Sequence, residues 1–244
     1  MNMFSENVKP RGRGRPAGPT VQSADTRNRL YATALRLVAE RGYAATTLRE
    51  IAREADVSVG LLYRYFPNKQ AVLLALYDDL STDFAGKAAD LPKGRWRDRF
   101  VFALRASLGT LAPHRMALQG LTPILVADPG DGVFAPGTAF SRHRVQHVFV
   151  QAVVDGSDAP KAALAAALGR VLYLVHLGVL LWWLLDRSRE QRATDALIGL
   201  IARMLPSASL ALRLPSLGAF VVGLDALVSE ALIGDALSTD TPAR

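Results

Sequence analysis

Apolar residues recur at helical spacing from about residue 25 onward, and no alternating series suggestive of strands appears, so the pattern predicts an all-α protein. The clearest stretch is 46–69, TTLREIAREADVSVGLLYRYFPNK. Thr47 is placed to cap a helix, with Glu50 three residues on to complete a capping box. Leu48, Ile51, Ala52 and Ala55 then give that helix one apolar face. Asp56-Val57-Ser58 breaks the pattern, and Ser58 can cap a second helix over 59–66. There Leu62 and Phe66 point inward, which turns Gly60 and Arg64 outward with Tyr63 on the flank. Pro67 stops it, and Asn68 can cap the next helix. Two short helices crossing at a tight turn, the second with a polar-aromatic outer face, predict a helix-turn-helix over about 47–66.

The ordered string GY-x-x-TT-x-x-x-IA-x-x-A-x-VS-x-G-x-LY-x-YF-x-NK, from Gly42 to Lys69, resembles the TetR family of bacterial transcriptional regulators (AcrR-like). The resemblance covers roughly residues 25–80. It implies a three-helix DNA-binding domain followed by a larger all-helical unit for ligand binding and dimerisation. Residue by residue, it places Arg49, Val59, Gly60, Tyr63 and Arg64 near bases, and Thr47, Ser58, Tyr65 and Lys69 at phosphates.

Elsewhere the spacing predicts a first helix over 25–41, with Gly42 as its C-terminal stop and Tyr43 making the contact that follows such a stop. A long helix runs from 69 towards 89, and further helices fall near 95–111, 115–127, 138–155, 159–188, 191–205 and 217–236. Residues 128–137 and 206–215 read as loops from their Gly and Pro content. The expected organisation is an arm at 1–22, a DNA-binding domain at 23–80 and a ligand-binding and dimerisation domain at 81–244. The last helix carries Leu217, Val221, Val222, Leu224 and Val228, an apolar set that cannot stay exposed in a monomer. With the 159–188 helix it is expected to form a homodimer interface, as the resemblance also implies.

Charge sharpens this picture. The chain of 244 residues carries a formal net charge of +7. Residues 1–77 hold 12 Lys and Arg against 6 Asp and Glu, while 78–244 hold 17 against 16. The excess therefore sits with the helix-turn-helix, as a nucleic-acid footprint would. The arm, with Lys9, Arg11, Arg13 and Arg15 among Gly and Pro, cannot pack a core and is expected to be disordered when free. Arg13-Gly14-Arg15-Pro16 also resembles the short AT-hook core. The arm either adds only nonspecific phosphate affinity or reads A·T-rich minor groove, and the second motivates an alternative reading as an architectural protein.

No cysteine is present, so disulfides, thiolate chemistry and Cys zinc sites are excluded. No signal-peptide pattern opens the chain, and a bacterial cytoplasmic location at the nucleoid is expected. The run 162–185 has the length of a membrane span, but Arg170 interrupts it. It is read as a covered central helix, and no membrane partner is expected. His143 and His147, four apart, have metal-ligand spacing, yet Arg142 and Arg144 beside them would repel a cation. His176 reads as a core histidine with its hydrogen bonds satisfied, and Arg95, Arg97 and Arg99 as a solvated helix start. Trp182 and Trp183 point about 100° apart, so at most one lines a pocket. No phosphate loop, nucleophile elbow or acid/base pair appears. The expectation is a non-enzyme with no metal and no cofactor: a homodimeric repressor of a pseudo-palindromic double-stranded DNA operator, released by a small, largely apolar effector.

Overall fold

The computed structural model describes residues 21–233. The arm cations Lys9, Arg11, Arg13 and Arg15 lie outside them. Among the described residues there are ten α-helices and no strand. In chain order they are α1 (Val21–Arg41), α2 (Leu48–Glu54), α3 (Val59–Tyr65), α4 (Lys69–Ala88) and α5 (Trp96–Leu111), then α6 (Arg115–Ala127), α7 (Ala139–Val154), α8 (Ala162–Leu185), α9 (Arg192–Ala211) and α10 (Pro215–Val228). A π-turn at Ser229–Ile233 follows α10. Helix α1 begins inside the stretch expected to be an arm.

Local chemistry explains the first four helices. The N–H of Gly42, at φ +82°, donates to the Val38 carbonyl at 2.8 Å and closes α1 in a conformation glycine adopts without a steric penalty. Thr47 and Glu50 form the reciprocal capping box of α2. Ser58 Oγ accepts the Leu61 N–H to start α3, and Asn68 Oδ1 accepts that of Ala71 to start α4. Asp56, at φ 51°, makes the sharp turn between α2 and α3. Leu30, Leu37, Ile51, Leu62, Phe66 and Val72 then pack as one cluster from all four helices.

Helix α4 ties this cluster to the rest. Its Leu73, Leu76 and Leu80 join Val38, Leu118, Leu121, Trp183 and Leu184 in a middle cluster. Its Phe84 and Ala88 enter a large core with Trp96, Phe100, Phe149 and Tyr173. Helix α6 lies hard against the end of α1: a Cβ on Gly120 would sit 2.6 Å from the Val38 carbonyl oxygen. Residues 128–138 form a loop ending in a 3-10 turn (Pro136–Thr138), and Asp128 accepts the N–H groups of Gly130 and Asp131.

The apolar run of α8 is the central helix, packed in the large core, and Arg170 has a partner there. Its Nε and Nη2 donate to the two carboxylate oxygens of Asp225 on α10 at 2.8 and 2.7 Å. By length and composition alone, both α8 and the segment Pro215–Leu232 are long and apolar enough to cross a membrane.

Three expectations are corrected. Residues 206–215 are not a loop: α9 continues through Pro206 to Ala211. The missing N–H and ring clash are outweighed because Leu205 and Leu212, on either side, both pack on the large core. Arg99 and Arg97 are not solvated. Arg99 is buried, donating to the Ala152 and Gln151 carbonyls at the end of α7 and to that of Pro92, while Arg97 pairs with Asp158. Val221 faces α8 within its own chain and is buried, and Leu217, Leu224 and Val228 are half-buried, so of the five interface candidates only Val222 stands exposed. The outward stripe of α10 is instead Phe220, Val222, Gly223 and Leu227, and α8 exposes Val175, Gly178, Trp182 and Leu185.

Candidate nucleic-acid interface and internal cavity

Caps and core together orient α3. Because Leu62 and Phe66 are pinned in the first cluster, Val59, Gly60, Tyr63 and Arg64 emerge on the opposite side, all exposed. Tyr63 is 48% exposed, unusual for an aromatic ring not held by a partner. Arg49, Thr47 and Ser58 are exposed as well. Five arginines of this region divide into two sets. Arg36, Arg41 and Arg53 pair with Glu40, Glu54 or Glu50. Arg49 and Arg64 have no carboxylate within ion-pair reach among the described residues. A face with unpaired guanidinium groups, an exposed ring and a short helix fits the major groove of a duplex.

Two of the expected phosphate contacts are otherwise engaged. The Tyr65 hydroxyl lies 3.0 Å from Ser23 Oγ, tying α3 to the start of α1. Lys69 points inward. Its Nζ donates to the carbonyls of Tyr43 and Thr46 at 2.6 and 3.0 Å and sits 4.2 Å from the Tyr43 ring centre. Partial burial lowers its pKa from the usual lysine value. Lys69 therefore fastens the link between α1 and α2 rather than reaching outward. Lys69→Met is expected to cost about 1–3 kcal/mol of stability, since two carbonyls lose their donor, with the salt slope of DNA binding unchanged. Urea unfolding and a salt titration decide it: unchanged stability with a slope reduced by about one would return Lys69 to the phosphates.

A cavity of about 120 Å³ lies among α4, α5, α6, α7 and α8. Its wall is mainly hydrocarbon, from residues such as Leu80, Phe84, Leu118, Val145 and Leu177. His176 borders it, buried, with Nε2 2.8 Å from Ser107 Oγ and with no partner for Nδ1. The core-histidine reading was right about burial, and only half its hydrogen-bonding capacity is met. Burial pushes its pKa down to about 3, so the ring is neutral. Trp183 packs in the middle cluster, Trp182 is exposed, and neither lines the cavity.

Arg142 also borders the cavity and is buried, which the sequence reading missed. Its place seven residues before the core residue Phe149 puts both on one helical face, a signal that was available. Arg142 Nη1 donates to the carbonyls of Val133 and Ala135 in the 128–138 loop. That loop leans on α4 and on the link between α1 and α2. The Tyr77 hydroxyl donates to the Asp131 carbonyl at 3.2 Å, Tyr43 reaches the Asp131 carboxylate at 3.5 Å, and Gln70 donates to the Gly130 carbonyl. His143 and His147 are exposed, and no group of three metal-ligating side chains occurs among the described residues.

Comparisons agree with this geometry. The family model for bacterial regulatory proteins of the tetR family matches residues 30–76, which span most of α1 through α4. The HTH-type transcriptional repressor KstR of Mycolicibacterium smegmatis is 32% identical over 184 residues, covering 70% of this chain and 81% of that protein. A tetR-family transcriptional regulator from Streptomyces coelicolor shares the fold, with a TM-score of 0.55, 22% identity, and 84% and 89% of the two chains covered. So does AibR, solved with isovaleryl coenzyme A and operator DNA, with a TM-score of 0.51, 19% identity, and 72% and 97% covered.

Proposed function

Because the chain belongs to the TetR family of bacterial transcriptional regulators, we propose that it is a homodimeric repressor whose hold on a pseudo-palindromic operator is released by a small apolar effector. The family and its relatives support a DNA-binding regulator. The observation that carries the reading is the outward face of α3, with Tyr63 and Arg64 beside Arg49 from α2, all uncommitted to the fold.

In this reading α3 enters the major groove, where base edges distinguish all four pairs, while Thr47 and Ser58 hold phosphates. Tyr63→Ala is expected to weaken operator binding by about 1–3 kcal/mol with little loss of stability, as for one lost good contact. Genome-wide mapping of bound sites supplies the operator, and anisotropy titrations on it read the effect. Unchanged affinity and preference in Tyr63→Ala would mean that α3 does not face the bases. Sharp occupancy at a few palindromes supports the regulator, whereas broad A·T-dependent coverage would favour an architectural role for the arm.

The outward stripes of α8 and α10 supply the dimer. Val175, Trp182 and Leu185 on α8 and Phe220, Val222 and Leu227 on α10 are all exposed in one chain. Packed across a two-fold axis, the two helices of each chain would cover one another as a four-helix interface. Beside Gly178 and Gly223 an added Cβ would meet nothing within 4 Å, which leaves room for a partner helix.

The cavity is the candidate effector site. AibR, a structural relative, was captured with both a coenzyme A thioester and its operator. Here the cavity wall includes Leu80 and Phe84 of α4, and the start of α4 packs in the helix-turn-helix cluster. An occupant that moves α4 would change the separation of the two α3 helices and hence operator affinity. It can do so only by binding one arrangement better than the other.

A further inference from the structure

Arg142 is a buried cation with no countercharge among the described residues. It is 6% exposed, and no carboxylate among the described residues lies within ion-pair distance. Removing an unpaired charge from water costs several kcal/mol. Anchoring the 128–138 loop uses only Nη1, through the Val133 and Ala135 carbonyls. Nε is shielded from solvent with no acceptor, while Nη2, which is not shielded in that way, donates to no acceptor among the described residues. Nε and Nη2 form one edge of the guanidinium, the edge that matches the two oxygens of a carboxylate. The same protein shows that match where it is filled: the Nε–Nη2 edge of Arg170 grips Asp225 at 2.8 and 2.7 Å. At Arg142 the edge is unfilled, and the residue borders a cavity otherwise walled mainly by hydrocarbon.

Resting on the apolar-effector reading above, we propose that the effector is an apolar molecule ending in a carboxylate, held by the free Nε–Nη2 edge of Arg142. One cation balances one negative charge, which suits a carboxylate better than a doubly charged phosphate monoester. The hydrocarbon body takes the space beside Phe84, Val145 and Leu177. Because Nε is shielded from solvent, the wall around it must give as the acid enters. Arg142 then connects the acid to the loop whose Asp131 receives Tyr77 and Tyr43, so the charge of the ligand acts on the segment leaning against the DNA-binding helices.

Calorimetric titration of the full chain with octanoate and with 1-octanol tests this, together with release of the mapped operator by each. The acid is expected to bind about tenfold or more tightly than the alcohol, the value of one charge-assisted pair, and to release operator at correspondingly lower concentration. In Arg142→Met the two should bind nearly alike. Should that variant fail to fold, Arg142→Lys keeps the charge without the fork and should lose most of the preference. Octanol binding as tightly as octanoate to the natural chain overturns the carboxylate site while leaving an apolar effector in place. Failure of both compounds to bind or to release operator would overturn the apolar-effector reading with it.

Discussion

Val222→Asp should yield a folded monomer that no longer holds its operator. Val222 is 44% exposed in a single chain, so an aspartate there is solvated and the monomer tolerates it. Across the proposed α8–α10 interface the same carboxylate would be buried without a partner, at a cost of several kcal/mol. The two half-sites of an operator are then read by separate molecules, and the advantage of a fixed spacing is lost. Val221→Asp is the contrasting control. Val221 is buried against α8 in its own chain, so its replacement should unfold the C-terminal helices rather than only part the dimer. Sedimentation at micromolar concentration, circular dichroism and operator titration separate the two outcomes. A natural chain that sediments as a monomer while binding operator normally would remove both the interface and the spacing mechanism.

Acid should weaken the fold through His176. Its ordinary pKa of 6.5 is pushed down to about 3 by burial against Phe84, Phe149 and Tyr173. The unfolded chain therefore binds a proton below pH 6.5 that the folded chain refuses. Stability is complete above 6.5 and falls as pH drops towards 3, by about 1.4 kcal/mol per pH unit, or about 2 kcal/mol at pH 5. Asp186 does not confuse this window. Hydrogen bonds from Thr194 and Ser188 hold its carboxyl well below the usual range, so its contribution is lost only below its ordinary value of 3.8. His176→Phe keeps an aromatic ring without the titration. Urea unfolding at pH 7 and pH 5 should show the natural chain losing about 2 kcal/mol more than the variant. Parallel losses would mean that His176 titrates normally and is not sealed from water.

Legibility in the sequence followed range. Thr47 with Glu50, Ser58, Asn68 and Gly42 act within four residues of themselves, and each does in the fold what its spacing predicts. The outward face of α3 was equally readable, because Leu62 and Phe66 fix the phase of a single short helix. The apolar run of α8 announced a covered helix. Its Arg170 looked anomalous only because Asp225 is 55 residues away.

What the sequence could not show was the partner of each cation. Arg49, Lys69, Arg99 and Arg142 are alike as letters. In the fold the first is exposed and unpaired, the second fastens a turn, the third caps the end of α7, and the fourth is buried beside a cavity. The face of α10 was ambiguous for a related reason, being apolar nearly all round, so periodicity could not say which side its own α8 would take. Pro206 read as a break because local strain favours one, yet packing on both sides carried α9 through it. Helix starts, stops and phases thus came from the sequence, since they depend on neighbours along the chain. The roles of the cations, the free face of α10 and the cavity came from tertiary structure, since they depend on groups that only packing brings together.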